Sequence, residues 1–164
     1  MLERMSAARF ALHLLDPRGR CDRRGLLAAA LVLLALQVAV ALALRLGDVP
    51  FDSWPSVALG AAFCWVGFAV VSKRLHDLGR SAWLIPAAAL VWLACAFVAA
   101  TAVSIVDPDA LAPDGAGYWI ALTLLLLPLV VALLWLHLAA GDPGPNRFGP
   151  APQHAGFSMA PAAA

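Results

Sequence analysis

Charge is what this chain has least of. Asp, Glu, Lys and Arg supply 13% of its 164 residues, about half the share of a soluble domain, and that excludes a chain wetted on every face. The charges nearly cancel, to a formal +1, so the chain as a whole has no bulk attraction for nucleic acid. Cysteines are few, odd in number and far apart: Cys21, Cys64 and Cys95 make neither a disulfide framework nor a zinc knuckle. Cys64 and Cys95 fall inside apolar runs, where a thiol acts as a small hydrophobe. No Asp, Glu, Lys, Arg or His stands at mid-depth in those runs. A proton-coupled transporter or ion pump needs such relays, and their absence argues against that class. Gln37, the one strongly polar side chain near a centre, suits a hydrogen bond between helices better than contact with a solute. No serine or cysteine nucleophile motif occurs, so no catalytic residue, metal or cofactor is expected.

What the chain has is hydrocarbon: 63% of its residues are hydrophobic and its mean hydropathy is +0.85. Four apolar runs, Gly25 to Leu44, Pro55 to Ser72, Ala82 to Val106 and Gly117 to Ala140, are each near the roughly 20 helical residues that cross a bilayer core. Apolar residues surround each run instead of forming a stripe, and in lipid only a helix satisfies its own backbone. The expected fold is an all-α integral membrane protein, a four-transmembrane-helix bundle. Residues 1–150 would form a single four-helix membrane domain and residues 151–164 a disordered Ala/Pro-rich tail. The first run is longer than a signal-peptide core of roughly 7–15 residues, so it reads as an uncleaved anchor. Pro86 fits a first helical turn, and Pro128 should kink the fourth helix. The row Ala35, Ala39, Ala43 and the pair Gly60 and Gly67 are small-residue faces expected to pack inside the bundle.

Basic residues set the orientation. Ten of the eleven lie before the first span, in the second loop or after the fourth span; Arg45 alone lies elsewhere. The positive-inside rule then places the N-terminus, the second loop and the C-terminus in the cytoplasm. Trp54, Tyr118 and Trp119 fall at the outer ends of spans and Trp83 and Trp135 at the inner ends, as an aromatic belt requires.

Three polar segments should therefore share the cytoplasmic surface. The second loop reads Lys73-Arg74-Leu75-His76-Asp77-Leu78-Gly79-Arg80-Ser81-Ala82-Trp83. Each position has a local reason: cations complement a helix C-terminus, Gly79 suits a left-handed C′ residue, Ser81 can cap the next helix, and Trp83 anchors at the interface. Before the first span stands Gly19-Arg20-Cys21-Asp22-Arg23-Arg24, and after the last stands Gly141-Asp142-Pro143-Gly144-Pro145-Asn146-Arg147-Phe148-Gly149-Pro150. The order of a Gly-Arg-x-x-Arg lead-in, an Arg-Leu-His-Asp-x-Gly-Arg-Ser hairpin and a Gly-x-Asn-Arg-Phe-Gly exit resembles the domain of unknown function 805 family, the YhaH-like bacterial inner-membrane proteins, over roughly Phe10 to Pro150. The resemblance implies a bacterial inner-membrane location and a helical bundle, and it supplies no reaction.

Two readings of the cluster are open. Guanidinium groups bind phosphate bidentately, so Arg20, Arg24, Arg74, His76, Asp77, Arg80, Asn146 and Arg147 are candidate ligands for an anionic lipid headgroup or another phosphorylated molecule. Alternatively, Asp16, Asp22, Asp77 and Asp142 pair with the arginines and hold the termini to the hairpin. A catalytic reading would make His76 a general base oriented by Asp77, or join both to His137 around a metal; adjacent helical residues point about 100° apart, which disfavours it. The expected function is a structural or interaction protein engaging membrane lipids, a protein partner or its own copies, and no nucleic acid. The alternative is a small-solute transporter or export accessory subunit.

Overall fold

The computed structural model describes residues 14–113 and 115–152 and, as backbone, residues 157–158. The described part is helical apart from one pair of two-residue strands. In chain order the elements are β1 (Arg20–Cys21), α1 (Arg23–Leu46), α2 (Trp54–Asp77), α3 (Leu84–Val106), α4 (Ala116–Leu138) and β2 (Phe157–Ser158). The expected spans lie within these helices or within two residues of their ends. Each helix is long and apolar enough to cross a membrane. With 24 residues apiece, α1 and α2 are about 36 Å long at about 1.5 Å per residue, which exceeds a hydrocarbon core of about 30 Å.

Helix boundaries follow local chemistry. The Asp22 carboxylate accepts the Gly25 N–H at 2.7 Å and starts α1. Pro55 sits in the first turn of α2 and Pro86 in that of α3, where a missing N–H costs nothing. Trp83, two residues after Ser81, occupies the N-cap position of α3.

The chain divides into two compact units, Met1–Ala82 with Ala140–Ala164, and Trp83–Ala139. The first contains β1, α1, α2, β2 and the segment after α4. Its buried residues are concentrated at one end: Gly25, Leu26 and Ala29 of α1, and Ala69, Val70, Ser72, Lys73, Arg74, Leu75 and Asp77 of α2. Ala35, Ala39 and Ala43 are exposed, and a Cβ on Gly60 or Gly67 would meet no atom within 4 Å. Within this unit the small-residue faces thus do not pack α1 against α2, whose buried residues lie toward the end that carries Leu26, Ala29, Ala69 and Val70. The second unit is a helical hairpin. No residue of α3 is buried, and a cleft of about 1190 Å3 lined by Ala88, Trp92, Ala96, Tyr118, Ala121 and Pro128 separates α3 from α4. Such apolar exposure on every face is what a lipid solvent tolerates.

β1 and β2 pair antiparallel, with Arg20 opposite Ser158 and Cys21 opposite Phe157. Two residues of the tail expected to be disordered are therefore in a strand; residues 153–156 and 159–164 lie outside the described residues.

Candidate functional site

The last turn of α2 leaves carbonyls that the helix cannot satisfy internally, and the surrounding chain accounts for each. The Arg74 carbonyl accepts Leu78 N–H, and that of Leu75 accepts Arg80 N–H at 2.8 Å. The His76 carbonyl accepts Gly79 N–H at 3.1 Å. Gly79 at φ 68 and the paired Gly79 and Arg80 bonds make a Schellman cap, as expected of a glycine at that position. Two further bonds come from far along the chain: Asp142 N–H donates to the Asp77 carbonyl at 2.8 Å, and Asn146 Nδ2 to the His76 carbonyl at 2.9 Å. The segment after α4 is therefore stitched to the end of α2 through backbone.

Arg20 completes the junction. Its guanidinium makes five hydrogen bonds: Nε and Nη2 to Asp77 Oδ1, Nη2 to the Asp142 carbonyl, and Nη1 to the Gly144 and Gly149 carbonyls. A guanidinium has five N–H donors, so every one is engaged. Asp77 accepts Arg20 Nη2 at 2.9 Å on Oδ1 and Arg74 Nη1 at 2.5 Å on Oδ2, and all three side chains are at most 3% exposed. One carboxylate thus binds two buried cations and ties the lead-in, the α2 terminus and the exit segment together. The fit leaves no room at Gly141, where a Cβ would collide with the Asp77 carboxylate.

Around this knot the remaining residues take separate tasks. His76 turns away from Asp77, its Nδ1 bonded to the Gly19 carbonyl at 3.0 Å and its ring stacked on Phe148 at 4.0 Å between centroids. Because Gly19 offers only an acceptor, Nδ1 carries the proton. The Arg147 guanidinium lies 4.6 Å from the Phe148 centroid, a cation–π contact. Asn146 donates to Asp142 Oδ2 and accepts Phe148 N–H, shaping the exit turn. Cys21 is buried beside the knot; burial, reinforced by the Asp22 charge, pushes its thiol up to about 12, which keeps it protonated and unreactive.

The expected ligand set accordingly splits. Arg20, Arg74, His76, Asp77 and Asn146 do come together, but Arg20 is saturated and Arg74 is buried against Asp77, so both serve the fold. Arg24, Arg80 and Arg147 are exposed. Arg24 lies with Arg23, Asp22 and Asp142 on a polar groove of about 700 Å3 that also touches Arg74, Asp77, Ala151 and Pro152. Sequence reasoning missed Arg23, Phe148 and the complete burial of Lys73 and Cys21. His137 bonds its own helix at the Leu133 carbonyl. Among the described residues no three His, Cys, Asp or Glu side chains gather as metal ligands would.

Residues 14–150 match the family model described as a protein of unknown function, DUF805, and the chain belongs to that family. No curated protein and no solved structure matches it.

Proposed function

Starting from that membership, we propose that this chain is a multi-pass protein of the bacterial inner membrane with both termini and the α2–α3 hairpin in the cytoplasm, and that it acts as a structural or interaction protein that holds anionic lipid headgroups. The supporting observation is the division of its arginines. Arg20 and Arg74 are consumed by Asp77 and backbone carbonyls, which builds a rigid base. Arg23, Arg24, Arg80 and Arg147 remain exposed around that base. Exposed arginines fixed at a helix end, level with the headgroups, attract anionic lipid by about 1 kcal/mol each. The aspartates and His76 serve this role indirectly, by fixing where the arginines stand.

Native mass spectrometry of the protein released from its own membrane tests the reading. The expected spectrum shows retained anionic phospholipid well above its share of the membrane, displaced by raised salt as screening requires. A spectrum of bare protein, or of adducts mirroring bulk lipid composition, would remove the lipid-binding role.

A further inference from the structure

A polar side chain inside a membrane span has no water to turn to, so it needs a hydrogen-bond partner in protein. Two such side chains find one locally. Thr101 Oγ1 donates to the Phe97 carbonyl at 2.9 Å and Thr123 Oγ1 to the Trp119 carbonyl at 2.8 Å, each within its own helix. Gln37 does not. It is exposed, and its amide makes no hydrogen bond with any described residue. Leu44, the nearer end of the apolar run, is seven residues away, which is about 10 Å along α1 and beyond the reach of a glutamine side chain. The bond between helices that suits this amide is thus not made among the described residues.

The residues around Gln37 form a seam. Leu27, Ala30, Leu34, Gln37 and Ala41 are all exposed and follow one another at spacings of three, four, three and four, the heptad alternation of two helices packed at a shallow angle. Ala30 and Ala41, on either side of the amide, let a second backbone come close. The seam carries no charge, so its partner is an apolar helix, and the amide decides which one. An amide has N–H donors and a carbonyl acceptor together, so a second amide facing it satisfies both reciprocally. α1 of another copy supplies that amide at the same depth. Copies inserted under one charge rule run parallel, and a two-fold axis along the membrane normal sets each residue of the seam opposite itself.

We infer that the chain forms a homodimer in the membrane along this seam of α1, with the Gln37 amides of the two copies hydrogen-bonded to each other at its centre. A single amide in an otherwise apolar seam also fixes register and the number of helices, since a slipped pair leaves both amides in lipid. The interface does not depend on the headgroup reading above.

Full-length protein carrying donor or acceptor dye at its C-terminus, reconstituted into liposomes at falling protein-to-lipid ratios, reports the dimer by energy transfer. Gln37→Leu keeps the span apolar and should need about tenfold more protein per lipid for half-maximal transfer, the worth of one hydrogen bond between helices. Gln37→Asn keeps the amide and should retain most of the association. A second arm locates the face. With the native cysteines replaced by alanine and the membranes oxidised, Ala30→Cys, Leu34→Cys and Ala41→Cys should give disulfide-linked dimers, whereas Ala35→Cys and Ala39→Cys, on the opposite side of α1, should not. Energy transfer by Gln37→Leu equal to that of the wild type would overturn the pairing of amides, whatever the variant's melting temperature. Crosslinking through Ala35→Cys and Ala39→Cys alone, or wild-type protein that shows no transfer at any ratio, would overturn the seam.

Discussion

Asp77 is the residue on which two buried guanidiniums depend. Breaking a buried ion pair by deleting one partner costs about 3–5 kcal/mol, because the survivor is left charged in a poor solvent. Asp77→Ala strands both Arg20 and Arg74 and belongs at the upper end of that range. Arg74→Ala leaves the five bonds of Arg20 intact and should cost least. Thermal unfolding in detergent is therefore expected to rank Asp77→Ala below Arg20→Ala, and Arg20→Ala below Arg74→Ala. An Asp77→Ala protein that melts with the wild type would show that the knot does not hold the fold. Sequence reasoning found the participants and the divergence of His76 from Asp77, since neighbouring helical side chains point in different directions. It could not find the saturation of Arg20, because three of its acceptors are the carbonyls of Asp142, Gly144 and Gly149. Backbone acceptors carry no residue signature, and an arginine reads alike whether it faces a ligand or a loop.

Among the elements, the long helices were legible and their meeting places were not. Apolar run length places the helices, although α2 runs on past the expected Ser72 to Asp77, and Gly79 ends it with a left-handed φ of 68. Small residues, however, only permit close approach. Ala35, Ala39 and Ala43 are exposed, and the buried residues of α1 and α2 lie instead toward the end that carries Leu26, Ala29, Ala69 and Val70. The strand pair was equally hidden, since a two-residue ladder has no periodicity. The exit segment's dependence on Gly141 can be measured. A methyl there collides with the Asp77 carboxylate, and overpacking of this kind costs about 1–3 kcal/mol. Gly141→Ala should lower the melting temperature and hasten amide exchange at Asp142, whose N–H binds the Asp77 carbonyl. Unchanged exchange at Asp142 would mean that the segment docks without that contact.

For the molecule as a whole, the decisive asymmetry is between its two polar sides. Ten of eleven basic residues occupy the lead-in, the hairpin and the exit, and the knot brings those same three segments into one unit through Arg20, Asp77 and Asp142. Insertion charge rules and side-chain chemistry, which act at different times in the life of the chain, thus point to a common face. α1 and α2 are each about 36 Å long, longer than a hydrocarbon core of about 30 Å, and the knot lies at the start of α1 and the end of α2. Topology labelling checks the consequence. With the native cysteines replaced by alanine, an impermeant maleimide added to intact cells should modify Asp52→Cys and Asp109→Cys, both exposed, on the outer side. Arg80→Cys and Pro150→Cys, exposed beside the knot, should react only after the membrane is opened. Reaction of Arg80→Cys and Pro150→Cys from opposite sides would be incompatible with an Asp142 N–H bonded to the end of α2, and the arginine face would have to be abandoned along with its lipid.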